Sequence, residues 1–234
     1  MSDHAAGHAA GEPGDRFLAH HFRDMDSQLA TGKLGVWLFL GSEVLFFSGL
    51  FVAYGVYRAN HYALFHYAHH FLDWRMGAIN TVVLVTSSLT AAWSVRAAQL
   101  GDRRTLRLTL ALTLLLAGAF LVVKYFEYSH KLHEGIAWGA ACRPSEAILA
   151  TLPPAVRALP VPPDLGTFFS IYYLMTGLHG IHVLVGMGLY VWLIRRASRG
   201  DFGPGYYTPV DGVALYWHLV DLVWIFLFPL LYLI

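Results

Sequence analysis

An all-α fold, a bundle of five membrane-spanning helices, is what this sequence predicts, and three observations predict it. The 234 residues are 56% hydrophobic and 13% charged, where an ordinary soluble domain carries roughly 25% charged residues. The apolar residues gather into five stretches, each of about 20 or more residues and long enough at ~1.5 Å per residue to cross a hydrocarbon core ~30 Å thick. Most prolines and charges fall between those stretches. The net charge of +1 is too small to point to nucleic acid as a partner. Cys142 is the single cysteine, which excludes an intrachain disulfide and a cysteine-built metal cluster. No apolar segment followed by a small-residue cleavage site opens the chain, so the first span is expected to act as its own insertion signal.

Taken in order, residues 1–33 hold His4, His8, His20 and His21 among Ala, Gly and acidic residues. Too few large apolar groups are present to form a core, so a disordered polar tail is expected there, with the membrane domain occupying 34–234. The first span runs from Leu34 to about Tyr57 and ends in the aromatic and basic anchors Tyr54, Tyr57 and Arg58. Between Arg58 and Trp74, His61, His66, His69 and His70 alternate with Tyr and Phe, a composition suited to the membrane interface. The second span lies between Arg75 and Arg96. Its Gly77, Asn80, Ser87, Ser88 and Ala91 share a face where small and polar residues let another helix approach. The third span, from about Leu106 to His130, carries Lys124, Glu127 and Lys131 at helical spacing, which reads as an interfacial ion pair with snorkelling lysines. Six prolines between Leu132 and Asp164 forbid a spanning helix, leaving an extramembrane loop. The fourth span runs from Gly166 to about Ile194 and stops at Arg195, Arg196 and Arg199; the fifth runs from Gly212 to Ile234.

Five spans place the termini on opposite sides. With the N-terminus inside, the inner segments receive Arg16, Arg23, Lys33, Arg96, Arg103, Arg104, Arg107, Arg195, Arg196 and Arg199. The outer ones receive Arg58, Arg75, Lys131, Arg143 and Arg157, and the imbalance favours a cytoplasmic N-terminus and an external C-terminus.

Polar groups inside the spans are the candidates for chemistry. Glu43 sits in the middle of the first span, where a charge costs ~2.5 to more than 10 kcal/mol on scales that disagree. Three roles fit it: a proton-relay carboxyl, a neutral acid hydrogen-bonded to a neighbouring helix, or a ligand for a lipid headgroup or partner subunit. His179 and His182 lie three apart on the fourth span, with His218 and Asp221 on the fifth. Facing imidazoles can ligate a haem, a His-plus-carboxylate set can hold a metal, and the same residues make an interhelical hydrogen-bond cluster together with Asn80 and Glu127. Phosphate-binding loops, nucleophile elbows and zincin motifs are missing. The chain offers no self-contained active site.

Several runs then resemble one family in collinear order. They are Trp37-Leu38-Phe39-Leu40-Gly41-Ser42-Glu43-Val44-Leu45-Phe46-Phe47, Asn80-Thr81, Ser87-Ser88, Glu127-Tyr128, Thr176-Gly177-Leu178-His179-Gly180-Ile181-His182-Val183 and Trp217-His218-Leu219-Val220-Asp221-Leu222-Val223-Trp224. They resemble subunit III of the haem–copper cytochrome c oxidases, in the five-span bacterial form. The resemblance implies a chain without its own cofactor or metal, beside oxidase subunits I and II that hold the haems and copper. The enzyme would pass electrons from cytochrome c or another donor to O2 while pumping protons across a bacterial cytoplasmic membrane. It further implies bound phospholipid and support of proton uptake by subunit I. Glu43 matches the family's carbodiimide-reactive glutamate and Arg196 a lipid-headgroup arginine, while Asn80, Glu127, His179, His182, His218 and Asp221 fall at structural polar positions. Three features depart from the pattern: five spans where many members have seven, Lys124 where Gln is frequent, and a longer proline-rich loop. A quinol oxidase subunit, a nitric oxide reductase accessory protein, a b-type cytochrome anchor and a transporter are the alternative readings.

Overall fold

The computed structural model describes His20 and residues 22–234. The tail expected over 1–33 therefore lies largely outside the described residues, but its last part does not. Helix α1 spans Met25–Asn60 and begins inside that segment, because Asp24 and Ser27 form a capping box in which the Asp24 carboxylate accepts the Ser27 N–H at 2.7 Å. The apolar run alone could not reveal that start, since the first turns are polar.

After a short α2 (Tyr62–Ala68) and a 3-10 turn (His69–Phe71), six further α-helices follow, four of them long. Helices α3 (Trp74–Leu100) and α4 (Arg103–His133) form a hairpin. Its turn needs a left-handed residue, supplied by Gly101 at φ 73°, and Asp102 caps α4 by accepting the Arg104 and Thr105 N–H groups. The loop after α4 carries two short helices, α5 (Glu146–Thr151) and α6 (Pro154–Arg157), and leads into α7 (Leu165–Arg199) and α8 (Thr208–Tyr232). Five of these helices are long and apolar enough to cross a membrane among the described residues, and no named strand occurs there.

Helix α3 packs on α4 and α8, and α7 packs on the same two, so α3, α4, α7 and α8 close a ring. Helix α1 lies outside it against α8. Only 11% of its most apolar window is buried, against 50% for α8, so most of the surface of α1 is left uncovered by the rest of the chain. Inside the ring, Trp217 and Trp224 of α8 are fully buried. Gly186 of α7 makes room for the first of them: a Cβ there would lie 2.5 Å from the Trp217 ring.

The bundle has two distinct ends. The α3–α4 and α7–α8 turns, with Arg103 against Gly200, make an arginine end. At the other, the loop end, α2 packs its aromatic residues into the bundle. Phe65 packs edge-on against Tyr54 of α1 and Phe168 of α7 with centroids 5.4 and 5.1 Å apart, and Leu64, Tyr67 and Ala68 are buried with it. The proline-rich loop folds back beside it, tied by Arg143 N–H donating to Gly135 O at 2.8 Å and by Ser145 donating to Glu134.

Candidate functional site

Glu43 sits midway along α1, and its carboxylate Oε2 meets His182 Nε2 of α7 at 3.0 Å. The other ring nitrogen, Nδ1, lies 2.8 Å from Leu178 O. A carbonyl only accepts, so Nδ1 carries a hydrogen and the Glu43–His182 contact holds a single proton. It rests either on the acid, giving a neutral pair, or on the imidazole, giving an ion pair. Phe46 and Phe47 flank the ring at centroid distances of 6.2 and 5.0 Å, and Tyr216 donates to His182 O at 3.0 Å. Both side chains are about 18% exposed, so the edge of the pair is open at the surface of the bundle. Sequence reading placed Glu43 and His182 in separate groups; their matching mid-span depth was the signal that could have joined them.

A second constellation lies near the loop end. Glu127 accepts from Lys124 at 2.8 Å, from Lys131 at 3.2 Å, from Tyr172 at 2.8 Å and from Tyr232 at 2.6 Å. Lys124 also donates to Tyr172 and Tyr232 hydroxyls at 3.1 Å each. The expectation of snorkelling lysines is overturned: Lys124, Glu127 and Lys131 are 6%, 3% and 4% exposed and point into the ring. Tyr172 and Tyr232 make this possible, because hydroxyls and ring faces replace the water the ammonium groups give up. Neither tyrosine was singled out in the sequence, where each looks like an ordinary apolar or interfacial residue.

The histidines do not gather into one interhelical cluster. His218 Nδ1 lies 2.6 Å from Ser88 Oγ of α3, whereas Trp217 and Trp224 donate to Ser87 and Thr81 at 3.0 and 3.1 Å. His179 is sandwiched between Phe120 and Trp224 at centroid distances of 5.4 and 5.2 Å. The reason they spread is that α7 and α8 turn successive polar residues toward different neighbours: His182 toward α1, His179 toward α4, His218 toward α3. The three imidazoles therefore do not converge on a common centre, and no group of three or more His, Cys, Asp or Glu suited to a metal ion occurs among the described residues. Asn80 and Asp221 are buried in the ring at 0% and 2% exposure.

Arg196 stands at the arginine end of α7. Its Nε donates to Asp201 at 2.9 Å, and its guanidinium lies 5.0–5.5 Å from the rings of Trp192, Phe202 and Tyr206. A largely apolar cavity of about 430 Å³ opens nearby between α1, α7 and α8, lined by Val36, Phe39, Leu189, Trp192 and Tyr206 among others.

Comparison with known proteins follows the same residues. A family model described as cytochrome c oxidase subunit III matches 16–138 and 164–234, passing over most of the proline-rich loop. A probable cytochrome c oxidase subunit 3 of Nocardia farcinica is 32% identical over 96% of this chain and 97% of its own length. The cytochrome c oxidase subunit 3 of Corynebacterium diphtheriae is 34% identical over 86% of this chain and 87% of its own. The quinol oxidase subunit 3 of Bacillus spizizenii is 27% identical over 89% and 91%.

Proposed function

This chain belongs to the cytochrome c oxidase subunit III family, and on that premise we propose that it is the non-catalytic subunit III of a proton-pumping terminal oxidase that reduces O2. In this reading the chain carries no redox cofactor of its own. It lies in a bacterial cytoplasmic membrane beside subunits I and II, which hold the haems and copper, and it binds phospholipid and sustains proton uptake by subunit I over many turnovers. Cytochrome c is the donor to the complex. Support for the donor comes from the subunit names of the Nocardia and Corynebacterium relatives; quinol-dependent turnover of the purified complex would favour the Bacillus relative's activity instead.

The observation that carries the proposal is the Glu43–His182 pair. It joins the outlying α1 to the ring through one shared proton, a device for holding a helix. Replacing Glu43 by Ala is expected to leave the initial rate of oxygen consumption within about twofold, because the reacting centre lies in another subunit. Inactivation during sustained turnover should become several-fold faster, with loss of retained lipid or weaker docking of this chain. Immediate loss of all activity with every subunit and haem in place would assign the Glu43 proton to the chemistry. Isolation of the native complex tests the rest, since its co-purifying chains identify the partners and a Soret band belonging to this polypeptide alone would indicate a cytochrome.

A further inference from the structure

Four side chains inside the ring are fully or almost fully buried and short of partners. Asn80, His179 and Tyr190 are 0% exposed and Asp221 is 2% exposed. Both polar side-chain atoms of Asn80, both ring nitrogens of His179 and the Tyr190 hydroxyl have no hydrogen-bond partner among the described residues, and the Asp221 carboxyl faces only Ser88, which is itself engaged by His218. Such groups are normally paired, and in a membrane bundle no bulk water is at hand to rescue them.

His179, Tyr190 and Asp221 lie along one seam, and Asn80 stands buried on α3, which packs against it. Tyr190 packs edge-on against Trp217 at 5.3 Å, one turn before Asp221 on α8. His179 packs against Trp224, three residues after Asp221, and Trp224 donates to Thr81, the neighbour of Asn80 on α3. From Trp217 to Trp224 is about two turns, ~10 Å of helix. At its far end the seam meets Lys124, whose ammonium lies 5.3 Å from the Trp224 ring, and through it the Glu127–Lys131 cluster. That cluster reaches the loop end: Glu127 and Lys131 line a pocket of about 310 Å³ together with His70, Asp73 and His130.

The chemistry of the unpaired atoms selects the ligand. Asn80 offers an N–H2 and a carbonyl, Tyr190 an O–H that also accepts, His179 two ring nitrogens that donate or accept according to tautomer, and Asp221 a carboxyl that accepts and, when protonated, also donates. A metal cation would suit the acceptors, but the N–H donors and the nearby Lys124 would repel it. A lipid chain would satisfy none of them. Water donates and accepts, and buried water in proteins collects where otherwise unsatisfied polar groups converge. We propose that Asn80, His179, Tyr190 and Asp221 bind a chain of internal water molecules, which continues through the Lys124–Glu127–Lys131 cluster and connects the mid-bundle Asp221 to the pocket at the loop end.

Radiolytic hydroxyl labelling of the intact purified complex tests this, because bound water generates radicals that mark the side chains beside it. After correction for intrinsic reactivity, His179 and Tyr190 are expected to label several-fold faster than Phe168 and Phe169, which are equally buried at 0% exposure. Labelling at the rate of those two phenylalanines would mean a dry seam and overturn the proposal. When the complex is mixed briefly with 18O-water before irradiation, the added oxygen should be 18O. Labelling that is fast yet carries only 16O would overturn the connection to the loop end. Asp221→Asn should lower labelling at Tyr190 with haem content and subunit composition unchanged; unaltered labelling in an assembled variant would remove Asp221 from the chain. If that variant fails to assemble, the wild-type rates decide alone.

Discussion

At the residue scale, the burial of two lysines and one glutamate in a membrane bundle shows how a local charge ladder acquires a different meaning in three dimensions. The spacing of Lys124, Glu127 and Lys131 guarantees that they meet on one helix face, but it does not say whether that face looks to water or inward. Tyr172 and Tyr232, brought from α7 and α8, settle it by completing the coordination of Glu127. Glu127 is thus the shared anion of the group, and removing its charge leaves two ammonium groups facing a neutral acceptor. Glu127→Gln should destabilise the folded chain by about 3–5 kcal/mol, as expected when one partner of a buried ion pair is lost. Lys124→Met should cost much less, because Glu127 retains Lys131 at 3.2 Å and the methionine fills the space of the lysine stem. Thermal unfolding of the two variants in the same detergent checks the order. Equal effects would mean that the cluster is better solvated than its burial indicates.

At the scale of elements, the five spans were readable because a spanning helix must be apolar for its whole crossing, and nothing else in the chain satisfies that demand. Helix ends were read less well. Gly101 after the second span and Gly200 after the fourth are visible stop signals, at φ 73° and 78°, whereas the Asp24–Ser27 box that starts α1 is hidden in a polar segment. Packing partners were the least accessible, since α1 and α8 are similarly apolar and only the structure shows that one faces lipid and the other the ring. The tight α3–α4 turn offers a test of how such an end is held. Asp102 accepts from the Thr105 hydroxyl at 2.6 Å and from the Thr105 and Arg104 N–H groups at 3.1 Å each, and these bonds hold its carboxyl below the ordinary carboxylate range. A lowered folded value means that the capping contribution is complete above the unfolded value of about 4 and fades as pH falls through the folded one. Amide exchange at Arg104 and Thr105 should therefore be slower in the wild type than in Asp102→Ala at neutral pH. That difference should collapse well below the carboxylate range, and Asp102→Asn should show little pH dependence. A gap between wild type and Asp102→Ala that persists unchanged in acid would mean that the charge of Asp102 is not what holds the turn.

For the whole molecule, the two ends of the bundle differ in charge. Arg96, Arg103, Arg104, Arg107, Arg195, Arg196 and Arg199 flank the α3–α4 and α7–α8 turns, while Lys131, one of the few cations assigned by sequence to the opposite end, is withdrawn into the buried cluster. On the proposed reading, the excess of arginines at the first end favours that end as cytoplasmic. Cys142, the single cysteine of the chain, lies in the loop at the other end and is partly exposed. A membrane-impermeant maleimide added to intact cells is expected to label it, and a Cys142→Ser, Ser198→Cys chain, carrying its thiol on the exposed last turn of α7, should label only after permeabilisation. Burial pushes the Cys142 thiol above its ordinary value. The thiolate is the reacting species, so labelling should be slow at about pH 7 and accelerate by about pH 9. The reverse pattern, with Ser198→Cys reached from outside and Cys142 protected at both pH values until the membrane is opened, would turn the bundle over. It would also place the loop-end pocket, and with it the mouth of the seam that ends at Asp221, on the cytoplasmic side.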